Sequence, residues 1–369
     1  MRRLTILFTA ILIVVSAAGC VDGQVEMVNP YRADGDNVTY TTDRKVSNYD
    51  ELERAVFSII SQGLETDTVK AVGYSGDVEA DLTEICTNIA ENTVIGNYAL
   101  NYLSGSINKI VSYYEAKITV SYKIDRSQMR NIYFILSQDD LDSAAAELME
   151  NLKRSAVLYI GDKQLSIRET FEKMYLKYPV NSVYRPGLEI SIIQAEGEGR
   201  LAEVGISYPK NGAEIISQRD ALQRGISAYA ELIDHTQQAE RLYAAAVIMC
   251  DELSFEDTAS AVSHSTAYGA INQKQADDEG LSLGFKALCD KIGVECVAVS
   301  GRREGKTHFW NIVKVDGYFY HVDISGCINS GYREYFLKCD EDFADEYTWD
   351  ADSYPVCMRR HDFSYLYEE

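Results

Sequence analysis

Three polar residues in the last quarter of the chain have the types and the order needed to act on one another. Ser282 lies in Gly280-Leu281-Ser282-Leu283-Gly284-Phe285, His308 in Thr307-His308-Phe309-Trp310-Asn311, and Asp323 closes Tyr320-His321-Val322-Asp323. A hydroxyl, an imidazole and a carboxylate in that order read as nucleophile, general base and the group that orients the base, and the chemistry would be acyl transfer or hydrolysis. Taken singly, each has a plainer use. A serine at a helix start is an N-cap, and a histidine with an aspartate is more often a structural pair.

The neighbouring sequence sets the elements that must position them. Leu281, Phe285, Leu288 and Ile292 recur at helical spacing and Gly293 follows as a stop, which predicts a helix with Ser282 in its first turn. Unpaired N–H groups and the helix dipole at such a place stabilise an anion. Strands are expected over 294–300, 308–315 and 318–323, so His308 and Asp323 fall on successive strands. His321 shares the face of Asp323 by alternation. A helix over 237–251 opens this part of the chain.

These blocks resemble the transglutaminase-like core, a branch of the papain-like thiol enzymes, whose pattern runs G-x-C-x-G-[YF], then H-[AF]-W-N, then a strand ending in [HY]-V-D. Ala267-Tyr268-Gly269-Ala270-Ile271 is similar to the family's A-Y-G-A-L lead-in. Residues 292–301 resemble its G-I-x-C-x-x-V-x-G strand, and residues 311–317 its N-x-V-x-[LI]-D-G hairpin. The resemblance covers roughly 236–330 and implies a papain-like α+β domain with His308 as base and Asp323 as its orienting partner. It also implies that Trp310 packs beside the base and that Asn311 braces the same turn; with Tyr268 they are the expected substrate-binding residues. The family's Cys position falls on Ser282. A hydroxyl must lose its proton as it attacks, whereas a thiol of pKa about 8.5 is readily made a thiolate. A site shaped for sulfur therefore holds a serine too far from base and substrate. Cys289, two turns deeper, and Cys296, on a core strand, do not replace it. Ile324-Ser325-Gly326-Cys327 stands where a P-T-W or V-T-W continuation is usual, so substrate preference does not carry over.

Ahead of this domain the order helix, strand, helix, hairpin occurs twice between residues 47 and 212. Helices are expected over 50–62, 81–92, 140–154 and 167–178, strands over 69–74 and 156–160, and paired strands over 113–124 and 188–208. Both copies close on Ser-Tyr, at Ser121-Tyr122 and Ser207-Tyr208. The expected fold is α+β: two tandem small repeats, 47–125 and 126–235, the second including a linking helix over 213–234, then the transglutaminase-like domain, 236–369. A duplicated unit without clustered catalytic residues is a scaffold or a binding surface.

Arg2 and Arg3, an apolar run to Val15 and Ser16-Ala17-Ala18-Gly19-Cys20 form a lipoprotein leader over 1–19, with Cys20 as the lipidated first residue of the mature chain and 20–46 as a tether. Without Arg2 and Arg3 the formal charge moves from −22 to about −24. That balance speaks against nucleic acid as a partner. Seven further cysteines, with no C-x-x-C pair, form neither a full disulfide framework nor a zinc site; one bridge among Cys327, Cys339 and Cys357 is left open. No metal or cofactor motif is present. The expected protein is extracytoplasmic, anchored to the bacterial membrane through Cys20, and binds peptide, protein or cell-wall material through an inactive transglutaminase-like domain. Two alternatives stand: an active Ser282-His308-Asp323 enzyme, and a structural C-terminal module with the partner site on the repeats.

Overall fold

The computed structural model describes residues 44–194 and 197–367. The leader, Cys20 and nearly all of the tether lie outside them. Among the described residues no helix is long and apolar enough to cross a membrane.

The fold is α+β. Its first unit runs β1 (Lys45–Val46), α1 (Tyr49–Ser61), β2 (Thr66–Ala71), α2 (Val78–Asn92), α3 (Val94–Ala99), β3 (Leu100–Ile110) and β4 (Tyr113–Tyr122). The second runs α4 (Arg126–Arg130), β5 (Ile132–Ile135), α5 (Gln138–Glu150), β6 (Ser155–Ile160), α6 (Ile167–Lys177), β7 (Gly187–Gln194) and β8 (Arg200–Ser207). The sheet orders are β1-β2-β4-β3 and β5-β6-β8-β7. In both, the first two strands are parallel and the remaining pairs antiparallel. A duplication of the kind expected from the sequence requires this shared topology. The helix starts follow from their caps: Asn48, Asp77, Ser137 and Ser166 each accept a backbone N–H from the first turn. One paired strand of the first unit, β3, falls outside the expected range. Most of its side chains face outward on a sheet edge, so it carries little apolar alternation.

Strands β5, β6 and β8 of the second sheet contribute to cores on both faces, while the edge strand β7 is largely exposed. Leu158 and Ile160 join one core while Tyr159 joins the other, and Ala202 and Leu201 divide in the same way. Strands covered on both faces read as continuous apolar runs, as Ala156–Ile160 does.

Helix α7 (Gly212–Ala230) leads into the C-terminal part: α8 (Gln238–Glu252), β9 (Ser254–Phe255), β10 (Gln275–Ala276), α9 (Asp278–Lys291), β11 (Cys296–Arg303), β12 (Lys306–Val315), β13 (Tyr318–Val322), α10 (Ile324–Ser330), α11 (Tyr332–Tyr335), β14 (Phe336–Lys338), α12 (Asp340–Phe343) and β15 (Tyr347–Thr348). Its main sheet has the order β14-β13-β12-β11-β15, antiparallel throughout. Helix α9 lies against β11 and β12, and residues 280–289 are all buried. Phe171, Tyr175, Leu222 and Ile226 share one continuous core with Leu281, Phe285 and Ile312.

Candidate active site

Helix α9 begins four residues before Ser282. Asp277 is its N-cap and accepts the Gly280 N–H at 2.9 Å, so Asp278 is the first helical residue and Ser282 lies one turn further in. Strand β12 runs alongside. At the helix start, Asp278 Oδ2 lies 2.6 Å from His308 Nδ1 and accepts the Phe309 N–H at 3.0 Å. One turn deeper, the Ser282 hydroxyl donates to the Trp310 carbonyl at 2.9 Å, and the Asn311 amide donates to the Ser282 carbonyl at 3.0 Å.

The far side of the imidazole belongs to Asp323. His308 Nε2 lies 2.8 Å from Asp323 Oδ2, which also accepts the Tyr347 hydroxyl at 2.7 Å. The other carboxylate oxygen takes the Ser325 hydroxyl and the Gly326 N–H, capping α10. Arg303 approaches Asp323 at 3.7 Å. Burial alone would lower the His308 pKa, but hydrogen bonds to Asp278 and Asp323 outweigh it and raise the pKa to about 9. Burial would raise Asp323, and its bonds to His308, Ser325 and Tyr347 hold it below the usual carboxylate range. At neutral pH the cluster is an imidazolium bracketed by two carboxylates, and both ring nitrogens donate.

The residues expected from the sequence thus divide. His308 and Asp323 come together. Ser282 does not join them: it is 2 % exposed and its proton goes to a main-chain carbonyl. Its expected place opposite the base is taken by Asp278, because the helix start lies further upstream than the apolar spacing implied. Asp277-Asp278-Glu279, an acidic run directly before the apolar helix, was the available signal of that start.

Of the three residues expected at the substrate side, two are covered by the fold. Trp310 and Asn311 are fully buried, so neither presents a surface to a ligand. Trp310 does stack near His308, with ring centroids 6.2 Å apart, and its indole N–H donates to His321 Nδ1 at 2.9 Å. Tyr268 packs with Val183, Tyr184 and Ile215 of the preceding segments.

The second unit reaches the helix start. Arg185 pairs with Glu279 at 2.7 Å and with Glu172, and its guanidinium lies over the rings of Tyr175 and Phe309. Burial raises the Glu279 pKa, and Arg185 offsets part of that rise.

His321, Asp340 and Cys357 bring potential ligand atoms within 4.8 Å of one another. Their hydrogen bonds argue against a metal there. Because the Trp310 indole can only donate, His321 Nδ1 must accept, and the ring proton sits on Nε2 facing Asp340 at 2.8 Å.

No protein-family model matches the chain, and no curated protein matches it. Among solved structures it is similar to a provisionally assigned cysteine protease from Cytophaga hutchinsonii, at 11% identity and TM-score 0.25 over 38% of this chain and 62% of that one. It is similar also to a TGase, at 12% identity and TM-score 0.28, covering 78% of this chain and 60% of the other. A provisionally assigned protease from Parabacteroides distasonis follows at 7% identity and TM-score 0.24, covering 70% and 40%. The chain spans about three-fifths of the length of the first two. All three TM-scores lie below 0.5, and none of these likenesses assigns an activity to this chain.

Proposed function

We propose that this chain is an extracytoplasmic, Cys20-anchored lipoprotein whose transglutaminase-like domain binds peptide or protein without processing it. The observation that carries this reading is Asp278, seated at the start of α9 and facing His308 Nδ1 at 2.6 Å, where a nucleophile would have to sit. A carboxylate there pairs with the imidazolium and keeps it protonated, so no free base remains at neutral pH. Attack by Asp278 on an amide carbonyl would yield an anhydride, far less stable than the amide consumed. Ser282 lies too deep to replace it. The membrane anchor rests on Arg2, Arg3, the apolar run and Cys20.

The test is residue-specific alkylation of the folded protein, followed by peptide mapping. Asp278→Cys is expected to be labelled by iodoacetamide at its new thiol, and His308→Ala in that background should slow the labelling by at least tenfold. Ser282→Cys should stay unlabelled at 282. Labelling of wild-type Ser282 by a fluorophosphonate, dependent on His308, would overturn the proposal in favour of a serine enzyme.

A further inference from the structure

A cleft of about 410 Å³ opens in the C-terminal part, outside the His308 cluster. One wall is built from α11, β14 and α12, the other from residues 360–364 and Tyr367. Its volume is within the range of small-molecule sites, roughly 300–1,000 Å³.

The floor exists because β14 is bulged. Val322 pairs with Phe336 and His321 with Lys338, which leaves Leu337 as an extra residue with a positive φ of 53°. A regular strand alternates its side chains between two faces, so three in succession could not line one cleft. The bulge lets Phe336, Leu337 and Lys338 do so. A leucine rarely adopts that backbone conformation, and bulges recur where side chains are re-aimed towards a site.

The charge of this cleft runs against that of the chain. The whole sequence has a formal charge of −22, and the larger hollow beside α2 follows it, with Asp77, Glu79 and Glu84 in its lining. Here three cations, Arg333, Lys338 and Arg360, stand against two carboxylates, Asp342 and Asp362. Both carboxylates are already engaged. Asp342 accepts Arg360 and, at 3.1 Å, the Cys339 thiol, and Asp362 accepts the Ser364 N–H at 2.9 Å. Arg333 and Lys338 form no ion pair among the described residues. The aromatic wall is fixed to the interior: Phe363 packs edge-on against Tyr320 with ring centroids 5.2 Å apart, and Tyr367 against Tyr243 at 5.5 Å.

We propose that this cleft binds a carboxylate carried on an apolar body, with Arg333 and Lys338 pairing with the carboxylate and Phe336, Leu337 and Tyr367 enclosing the body. An excess of one positive charge suits a monoanion over a phosphate dianion. The apolar floor rewards a ligand with surface to remove from water. A peptide's C-terminal residue and a free organic acid both have this form. The site rests neither on the reading of Asp278 nor on export.

The experiment is isothermal titration calorimetry of the full chain with N-acetyl-phenylalanine and with phenylpropionate, alongside N-acetyl-phenylalanine amide, acetate and inorganic phosphate. The two phenyl carboxylates are expected to bind one per chain, and each of the other three at least tenfold more weakly. Tighter binding of the acetylated amino acid assigns a peptide C-terminus, and tighter binding of phenylpropionate a free acid; either upholds the site. The paired change Arg333→Gln with Lys338→Met should weaken both by at least tenfold, whereas Lys109→Met, on the first unit, should weaken neither. Arg333 is exposed and Lys338 half-buried, so the paired variant is expected to keep the wild-type melting temperature. Equal affinity for the acid and its amide, tighter binding of phosphate, or no saturable binding at all would overturn the proposal on the wild type alone. Full affinity in the folded paired variant would overturn it as well.

Discussion

At the scale of the residue, His308 holds the chemistry of the site because it touches both carboxylates. Its pKa of about 9 in the folded protein, against 6.5 for the free side chain, makes the pairing a stability contribution with a definite sign. The folded state binds the proton more tightly, so the contribution is fully present below about pH 6.5 and is lost as pH rises through about 9. A shift of that size corresponds to roughly 3 kcal/mol. Urea unfolding from pH 6 to pH 10 should therefore show wild-type stability falling along the alkaline limb. His308→Gln is expected to lack that fall while being less stable at pH 6. An identical slope in both proteins would mean that His308 is not held as an imidazolium. The groups facing the ring are Asp278 from α9, Asp323 beyond β13, and Tyr347 of β15, with Arg303 of β11 behind Asp323.

At the scale of the element, the site depends on where α9 begins. The turn over residues 262–266 packs against that start, and Gly280 is the point of closest approach. A Cβ at residue 280 would lie 2.2 Å from the His264 carbonyl oxygen and 3.1 Å from the Thr266 nitrogen, both main-chain atoms that cannot swing away. Gly280→Ala is thus expected to destabilise the protein by about 1–3 kcal/mol in urea unfolding. It should also displace Asp278, lowering the His308 pKa measured by NMR titration towards its free value. Unchanged stability would show that the helix start has room to move.

At the scale of the whole molecule, the C-terminal part is not an independent body. Phe171, Met174, Tyr175, Leu222 and Ile226 bury themselves in the same core as the residues of α9 and its sheet. Arg185 adds a charged tie from the second unit to Glu279. Residues 236–369 expressed alone would expose that apolar surface to water. The expected outcome is a fragment that binds a hydrophobic dye and lacks a cooperative melting transition, while residues 44–369 melt cooperatively. A sharply melting, monomeric fragment would show instead that the inter-unit packing is dispensable.

Much of this architecture could be read before any coordinates. Helical spacing located α1, α2, α5, α6 and α9 to within a few residues, since amphipathic periodicity reports directly which face must leave water. The order of His308 and Asp323 was legible from Thr307–Asn311 and Tyr320–Asp323, although Asp323 follows β13 as the cap of α10 and is not on the strand itself. The edge strand β3 was not, because a mostly solvent-facing strand has little apolar pattern to detect. Nor was the residue opposite His308. Asp278 and Ser282 are four apart and so share one face of α9, separated by about one turn along its axis. Periodicity identifies that face but not the depth along it. The depth came from the cap at Asp277 and from the fit of α9 against β12, which carry Asp278 to the imidazole and bury Ser282 beneath the Trp310 carbonyl.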